Sequence, residues 1–281
     1  MKAKNLFEKD EMKEFEAEAK IGLLATKNNE GLPHITLITS IQAKTPEQLV
    51  FGQFTEGKSK NNLALNPNAF FLIMSMSLGL WRGKAKWTHL KKEGEDYEMF
   101  NNKPMFRYNT YFGFHTVHYM DLIETYGKEI LPFISLIPSI VLTWLAKDSV
   151  KTNSKHRALK PWAEKLFNKL TSLKFLSFIG EDGYPVIIPL FQCMAANNAR
   201  LVFSPIAYSD ELSIIKKGTP VAVLGLTLEM ESVLIRGEFT GYDSYRFINL
   251  GVIDINWVYN SMPPVPGQIY PIEKLKPITS F

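Results

Sequence analysis

The chain of 281 residues carries one series of short segments twice, at an offset of 152. Leu23-Leu24-Ala25-Thr26, running into Gly31-Leu32-Pro33, returns as Phe175-Leu176-Ser177-Phe178, running into Gly183-Tyr184-Pro185. Leu49-Val50-Phe51 returns as Leu201-Val202-Phe203, and residues 66–74 (NPNAFFLIM) return as residues 218–226 (GTPVAVLGL). Arg82-Gly83 matches Arg236-Gly237 at an offset of 154, which requires a two-residue insertion. Chance could supply one such match, but several in the same order point to a duplicated unit.

Each copy reads as a short helix followed by strands. Met12, Phe15 and Ala19 lie at helical spacing within 10–20, and Leu159, Trp162, Leu166 and Leu170 share a face around a helix opened by Pro161. Strands follow at 34–40, 49–54, 69–76 and 81–87, rich in β-branched and aromatic residues. Asn28-Asn29-Glu30-Gly31 and Glu181-Asp182-Gly183 fit hairpin turns, in which glycine takes a positive φ cheaply. Consecutive hairpins of this kind close into small barrels. The fold expected is mainly β with accessory helices (α+β), as two tandem split β-barrels. The boundaries are 1–126 for the first barrel, 127–157 for an apolar and basic helical linker, and 158–281 for a second, degenerate barrel.

Composition narrows the functional classes. Thirty-two basic residues against 28 acidic ones leave a net charge of +4, too small a bias to argue for nucleic acid. The single cysteine, Cys193, allows no internal disulfide and no cysteine-rich metal site, which suits a reducing, cytoplasmic compartment. No apolar stretch follows the N-terminal lysines, so a secretory signal is not expected. The most hydrophobic run, residues 130–146, is 17 residues long and contains Pro132 and Pro138. It is short for a spanning helix and reads as a buried or interface-covering one, without stable membrane insertion. The basic stretch 147–160 beside it reads as solvated, with anion binding as the alternative.

One segment carries chemistry. After the LVF strand of copy one comes QFTEGKSKNNLALNPNAFFL, residues 53–72. Thr55 ends a strand, Gly57 permits a turn, and Lys58-Ser59-Lys60 open a helical stretch that ends at Asn66-Pro67. Exposed amides at a helix start, a hydroxyl and two lysines suit a phosphate group. The same string also fits a plain serine cap with solvated lysines.

The order Gly31-Leu32-Pro33-His34, LVFGQFTEGKSKNNL, NPNAFFLIM and Trp81-Arg82-Gly83-Lys84-Ala85 resembles the pyridoxamine-phosphate-oxidase-like, FMN-binding split-barrel family. The resemblance is clear over residues 10–90 and weaker in copy two. It implies FMN as cofactor, its phosphate facing Lys58, Ser59, Lys60 and Asn62, with Gln53 and Thr55 on the approach to the ring. It places Arg82 and Lys84 on a strand close to the cofactor. The family includes oxidases, flavin reductases, deazaflavin-dependent reductases and haem-handling proteins, so the resemblance does not select a reaction. The substrate signature of true pyridoxamine-phosphate oxidases is absent. The expectation is an FMN-dependent oxidoreductase with a small-molecule donor or acceptor such as NAD(P)H, its catalytic residues unassigned. The alternative is a non-enzymatic flavin-, deazaflavin- or haem-binding protein. The chain would act as a homodimer or as an intramolecular pseudo-dimer.

Copy two departs from this pattern at residues 205–213 (PIAYSDELS), where Asp210 and Glu211 stand in place of the lysines and would repel a phosphate. One flavin per chain is therefore expected. His115 and His118, three apart on a strand, would face opposite ways, and no third ligand completes a metal site. Five histidines, His34, His89, His115, His118 and His156, are formally available to a haem, and nothing singles one out. Cys193 reads as a packed thiol.

Overall fold

The computed structural model of the protein describes residues 3–53, 57–103, 113–152, 157–229, 231–245, 247–260 and 267–271. Two eight-stranded sheets dominate it. The first contains β1 (Lys20–Lys27), β2 (Pro33–Leu37), β3 (Gln42–Thr45), β4 (Gln48–Gln53), β5 (Asn68–Ser75), β6 (Gly79–Lys91) and β7 (Thr116–Thr125). They run in the order β2-β1-β5-β6-β7-β4-β3, with β8 (Glu129–Ile130) added on β6.

The second contains β9 (Leu173–Ile179), β10 (Pro185–Pro189), β11 (Met194–Asn197), β12 (Arg200–Phe203), β13 (Thr219–Leu226), β14 (Ser232–Tyr245) and β15 (Ile248–Asn260). Their order is β10-β9-β13-β14-β15-β12-β11, the first order with every strand replaced by its counterpart; β16 (Gly267–Tyr270) joins on β15. The chain is a tandem pair of split barrels.

The first sheet rolls up because its inward residues are continuously apolar. Leu24 of β1, Ala43 of β3, Phe51 of β4, Phe71 of β5, Trp81 of β6 and Met120 of β7 meet in one buried cluster, although β1 and β3 lie near opposite ends of the strand path. Helix α1 (Lys9–Phe15) plugs this interior with Phe15, whose ring meets Trp81 edge-on at 5.2 Å. In the second copy the corresponding helix, α5 (Pro161–Asn168), buries Phe167, 152 residues after Phe15. Its inward face is Ala163, Leu166 and Phe167, with Leu159 just before it. Trp162 and Leu170 are exposed, contrary to the helical stripe expected from the sequence: the helix ends at Asn168, before Leu170, and its buried face is centred on Ala163, Leu166 and Phe167.

Strand pairing shows the repeat to be stricter than the sequence suggests. In β5–β6, Leu72 faces Arg82 and Phe70 faces Lys84; in β13–β14, Leu224 faces Leu234 and Ala222 faces Arg236. All four offsets are 152, so the counterpart of Arg82 is Leu234, and that of Arg236 is Lys84. The Arg-Gly match at an offset of 154 is out of register and needs no insertion. Irregularities repeat as well: those at Ala43/Thr45, Lys84/Ala85 and Trp87/His89 recur at Ala195/Asn197, Arg236/Gly237 and Phe239/Gly241. Beyond β6 the offset falls to 133, since Leu49 faces Met120 while Leu201 faces Ile253. The lost residues are where copy one inserts helix α3 (Glu95–Asn102), between β6 and β7.

The chain divides into two compact units: residues 1–131 with 177–187, and residues 132–176 with 188–281. The second unit includes helix α4 (Phe133–Ala146), formed by the apolar run. Pro132 caps it, and Pro138 sits inside it without ending it. Lacking an N–H, Pro138 forfeits the ladder bond to the Ile134 carbonyl, and the helix continues past it to Ala146.

Candidate functional site

Helix α2 (Lys58–Leu65) follows β4 and packs against β1 and β2. Asn62 and Leu63 point inward, and Asn62 Nδ2 donates to Thr26 Oγ1 on β1 at 3.0 Å. That bond pins the helix to the sheet and occupies one of the groups expected at a phosphate. Gly57 caps the helix without a side chain, and no acidic residue lies in the first turn. The first turns of α1, α3, α5 and of α6 (Ser209–Ser213) all carry carboxylates. Carboxylates suit the positive end of a helix dipole, whereas Lys58 and Lys60 oppose it. Between them, the Ser59 hydroxyl is buried and has no hydrogen-bond partner among the described residues. A buried polar group left unpaired is costly unless something completes it.

Gln53, at the end of β4, belongs to a second polar group. Its Oε1 lies 2.6 Å from His118 Nε2, while Trp87 Nε1 donates to His118 Nδ1 at 3.2 Å. An indole nitrogen can only donate, so Nδ1 is the acceptor and the imidazole proton sits on Nε2, bonded to Gln53. The ring stacks on Phe51 at 4.7 Å. Burial, then the charges of Lys60 and His115, push the His118 pKa down to about 4, so the ring is neutral near pH 7. The influence of Lys60 also places this network within electrostatic reach of the start of α2. Thr55 lies outside the described residues.

Arg82 and Lys84 are engaged elsewhere. Arg82 is 1% exposed and grips Glu129 through both carboxylate oxygens, at 3.0 and 2.7 Å, and donates to the Ile187 carbonyl at 3.0 Å. Lys84 pairs with Glu124 at 2.7 Å and Asp182 at 2.8 Å. Burial opposes its charge, but hydrogen bonds to Asp182 and Glu124 hold the ammonium above its ordinary range. Both cations are thus already neutralised within the first unit.

Every polar member of the copy-one site is replaced in copy two. Thr26, Gln53, Lys58, Ser59, Lys60 and Asn62 correspond to Phe178, Pro205, Asp210, Glu211, Leu212 and Ile214 at the 152 offset. Trp87 corresponds to Phe239, and His118 to Gly251, which faces Phe203 as His118 faces Phe51. A Cβ on Gly251 would lie 2.4 Å from the Phe203 ring, so no side chain fits there without displacing it. Helix α4 takes over the backbone that follows β12: Ser204 N donates to Thr143 Oγ1 at 2.8 Å and Ala207 N to Ser139 Oγ at 2.9 Å. Both hydroxyls are fully buried. The second copy therefore satisfies internally the amides of the loop that in the first copy leads to the cationic helix start.

Sequence reasoning weighed His118 only as a metal or haem ligand; its pairing with Gln53 and Trp87 depends on strand register. Among the described residues no group of three or more His, Cys, Asp and Glu side chains could hold a metal. Cys193 is buried, which pushes its thiol up to about 12.

No family model and no curated protein matches the sequence. Solved structures do resemble it. An FMN-binding protein from Syntrophomonas wolfei shares 15% identity over 41% of this chain and 80% of its own, with a TM-score of 0.36. A candidate pyridoxamine 5'-phosphate oxidase from Lactobacillus delbrueckii shares 18% over 45% and 99%, with a TM-score of 0.36. An F420 reductase shares 16% over 37% and 87%, with a TM-score of 0.31. Each match takes in less than half of this chain.

Proposed function

We propose that copy one binds FMN with its phosphate at the start of α2, and that the protein is an FMN-dependent oxidoreductase drawing electrons from a small donor such as NAD(P)H. The observation that carries this reading is the buried Ser59 hydroxyl, without a hydrogen-bond partner among the described residues, between two lysines at a helix start that has no side-chain cap. A phosphate monoester would accept from that hydroxyl and from first-turn amides, and its charge would relieve the opposition between the lysines and the helix dipole. Bound FMN supplies the electron-accepting ring, and the protein supplies position and polarity. Asn62 holds α2 on the sheet. His118 keeps its proton on Nε2 and fixes the orientation of the Gln53 amide, turning its N–H groups away from the imidazole.

The visible spectrum of the purified protein distinguishes flavin, deazaflavin and haem. A flavin spectrum at one equivalent per chain is expected; haem, or two flavins per chain, would overturn the assignment. Lys60→Glu should weaken FMN binding at least several-fold, since a charge-assisted hydrogen bond worth about 1.5–3 kcal/mol becomes repulsive. Riboflavin, which lacks the phosphate, should bind the variant nearly unchanged. Equal losses for both ligands would remove the phosphate contact from the argument. Steady NAD(P)H consumption with an artificial acceptor separates the oxidoreductase from a non-enzymatic binder.

A further inference from the structure

Helix α4 is inside out. An amphipathic helix on a globular unit ordinarily turns its apolar side to the core. Here the inward positions are Leu136, Ser139, Thr143 and Ala146, and the two hydroxyls are spent on the backbone after β12. The outward stripe is Phe133, Ile134, Ile137, Val141, Trp144 and Leu145; Ile134 is 95% exposed and Trp144 61%. No charged residue occurs between Leu131 and Ala146.

In sequence, the net charge of the chain lies directly after this stripe. Residues 130–160 hold five Lys or Arg and one carboxylate, Asp148. Taking these from the totals of 32 and 28 leaves 27 of each sign, so this segment accounts for the whole net charge of +4. Lys151, Arg157 and Lys160 are exposed. Two copies of the chain meeting through this face would bring like charges together, whereas an anionic lipid surface complements it.

We propose that α4 docks the protein on anionic membranes, lying in the interface with its outward stripe among the acyl chains and the exposed Lys151, Arg157 and Lys160 against the headgroups. Fourteen residues of helix extend about 21 Å, short of the roughly 30 Å hydrocarbon layer, so the helix lies on the membrane and does not cross it. The bonds from Ser139 and Thr143 hold it to the second unit while its apolar side faces out. Interfacial helices of this kind combine aromatic and aliphatic contacts with flanking cations.

The test is co-sedimentation of the full chain with vesicles of phosphatidylcholine alone or with about 30% phosphatidylserine. Binding to the anionic vesicles, weakened by salt, is expected. Ile134→Asp should abolish it, and because that side chain is almost fully exposed the thermal unfolding of the variant should match the parent. Arg157→Gln with Lys160→Gln should weaken it about thirtyfold, at roughly fivefold per cation. Brominated lipid should quench the parent's fluorescence, and Trp144→Phe should remove most of that quenching. Absence of binding to the anionic vesicles, or equal binding to neutral ones, would overturn the proposal. So would a dimer in light scattering that Ile134→Asp converts to monomer, because a second copy would then be what covers the stripe.

Discussion

The two barrels share strand order, pairing register and the positions of their irregularities, yet differ almost completely in the polar residues around one loop. Where copy one has Gln53, Trp87 and His118 bonded together, copy two has Pro205, Phe239 and Gly251. Positions that only pack stay apolar in both: Leu49 and Leu201, Phe51 and Phe203, Leu63 and Ile215 are all buried. The barrel can therefore be built without the polar set. The polar set of copy one is thus not a requirement of the barrel, which is compatible with the cofactor-binding role proposed for it.

The largest expected effect comes from importing copy two's residue at the buried ion pair. Arg82→Leu installs the residue found at position 234 and strands Glu129 in the core, at a cost of about 3–5 kcal/mol in denaturant unfolding. Arg82→Leu combined with Glu129→Leu should recover most of that loss. A double variant no more stable than the single one would show that the pair does more than neutralise itself.

Acid should distinguish the copies next. The His118 pKa lies at about 4 in the folded chain, against its ordinary 6.5. As pH falls through that interval the unfolded state binds the proton first, so stability present above about 6.5 is lost by pH 4, up to about 3 kcal/mol from this residue. His118→Gln removes the titration and should flatten the slope of stability against pH across that window. An unchanged slope would move the acid sensitivity to another group.

The smallest effect sharpens the comparison from the side of copy two. Thr143→Val leaves the Ser204 amide unpaired and should cost about 1–3 kcal/mol of stability. FMN binding at copy one should be untouched. A gain of a second flavin would mean that α4, and not the loss of lysines, is what closes the second site.

Much of the fold is legible along the chain, because periodicity and turn residues are local. The hairpin glycines Gly31 and Gly183 do take positive φ, at 79° and 80°, and the LVF strands pair as matched elements. Lys58, Ser59 and Lys60 are also readable, since a helix start is contiguous in sequence. The family resemblance places Arg82 on a strand close to the cofactor; only packing reveals that Glu129, 47 residues away, already holds it. His118 was ambiguous for the same reason, as its partners come from two other strands. The apolar run reads as a buried or interface-covering helix; only the structure shows that its hydroxyl-bearing side faces the barrel and its aliphatic side faces out.

The sequence by itself determined the duplication, the barrel strands and the cationic helix start, all of which are read from short contiguous strings, the duplication by comparing such strings 152 residues apart. The tertiary structure alone decided the true register of the repeat, which charges are already paired, and which way α4 faces. Those follow from contacts between distant segments, where hydrogen-bond satisfaction and burial, not local pattern, select the partner.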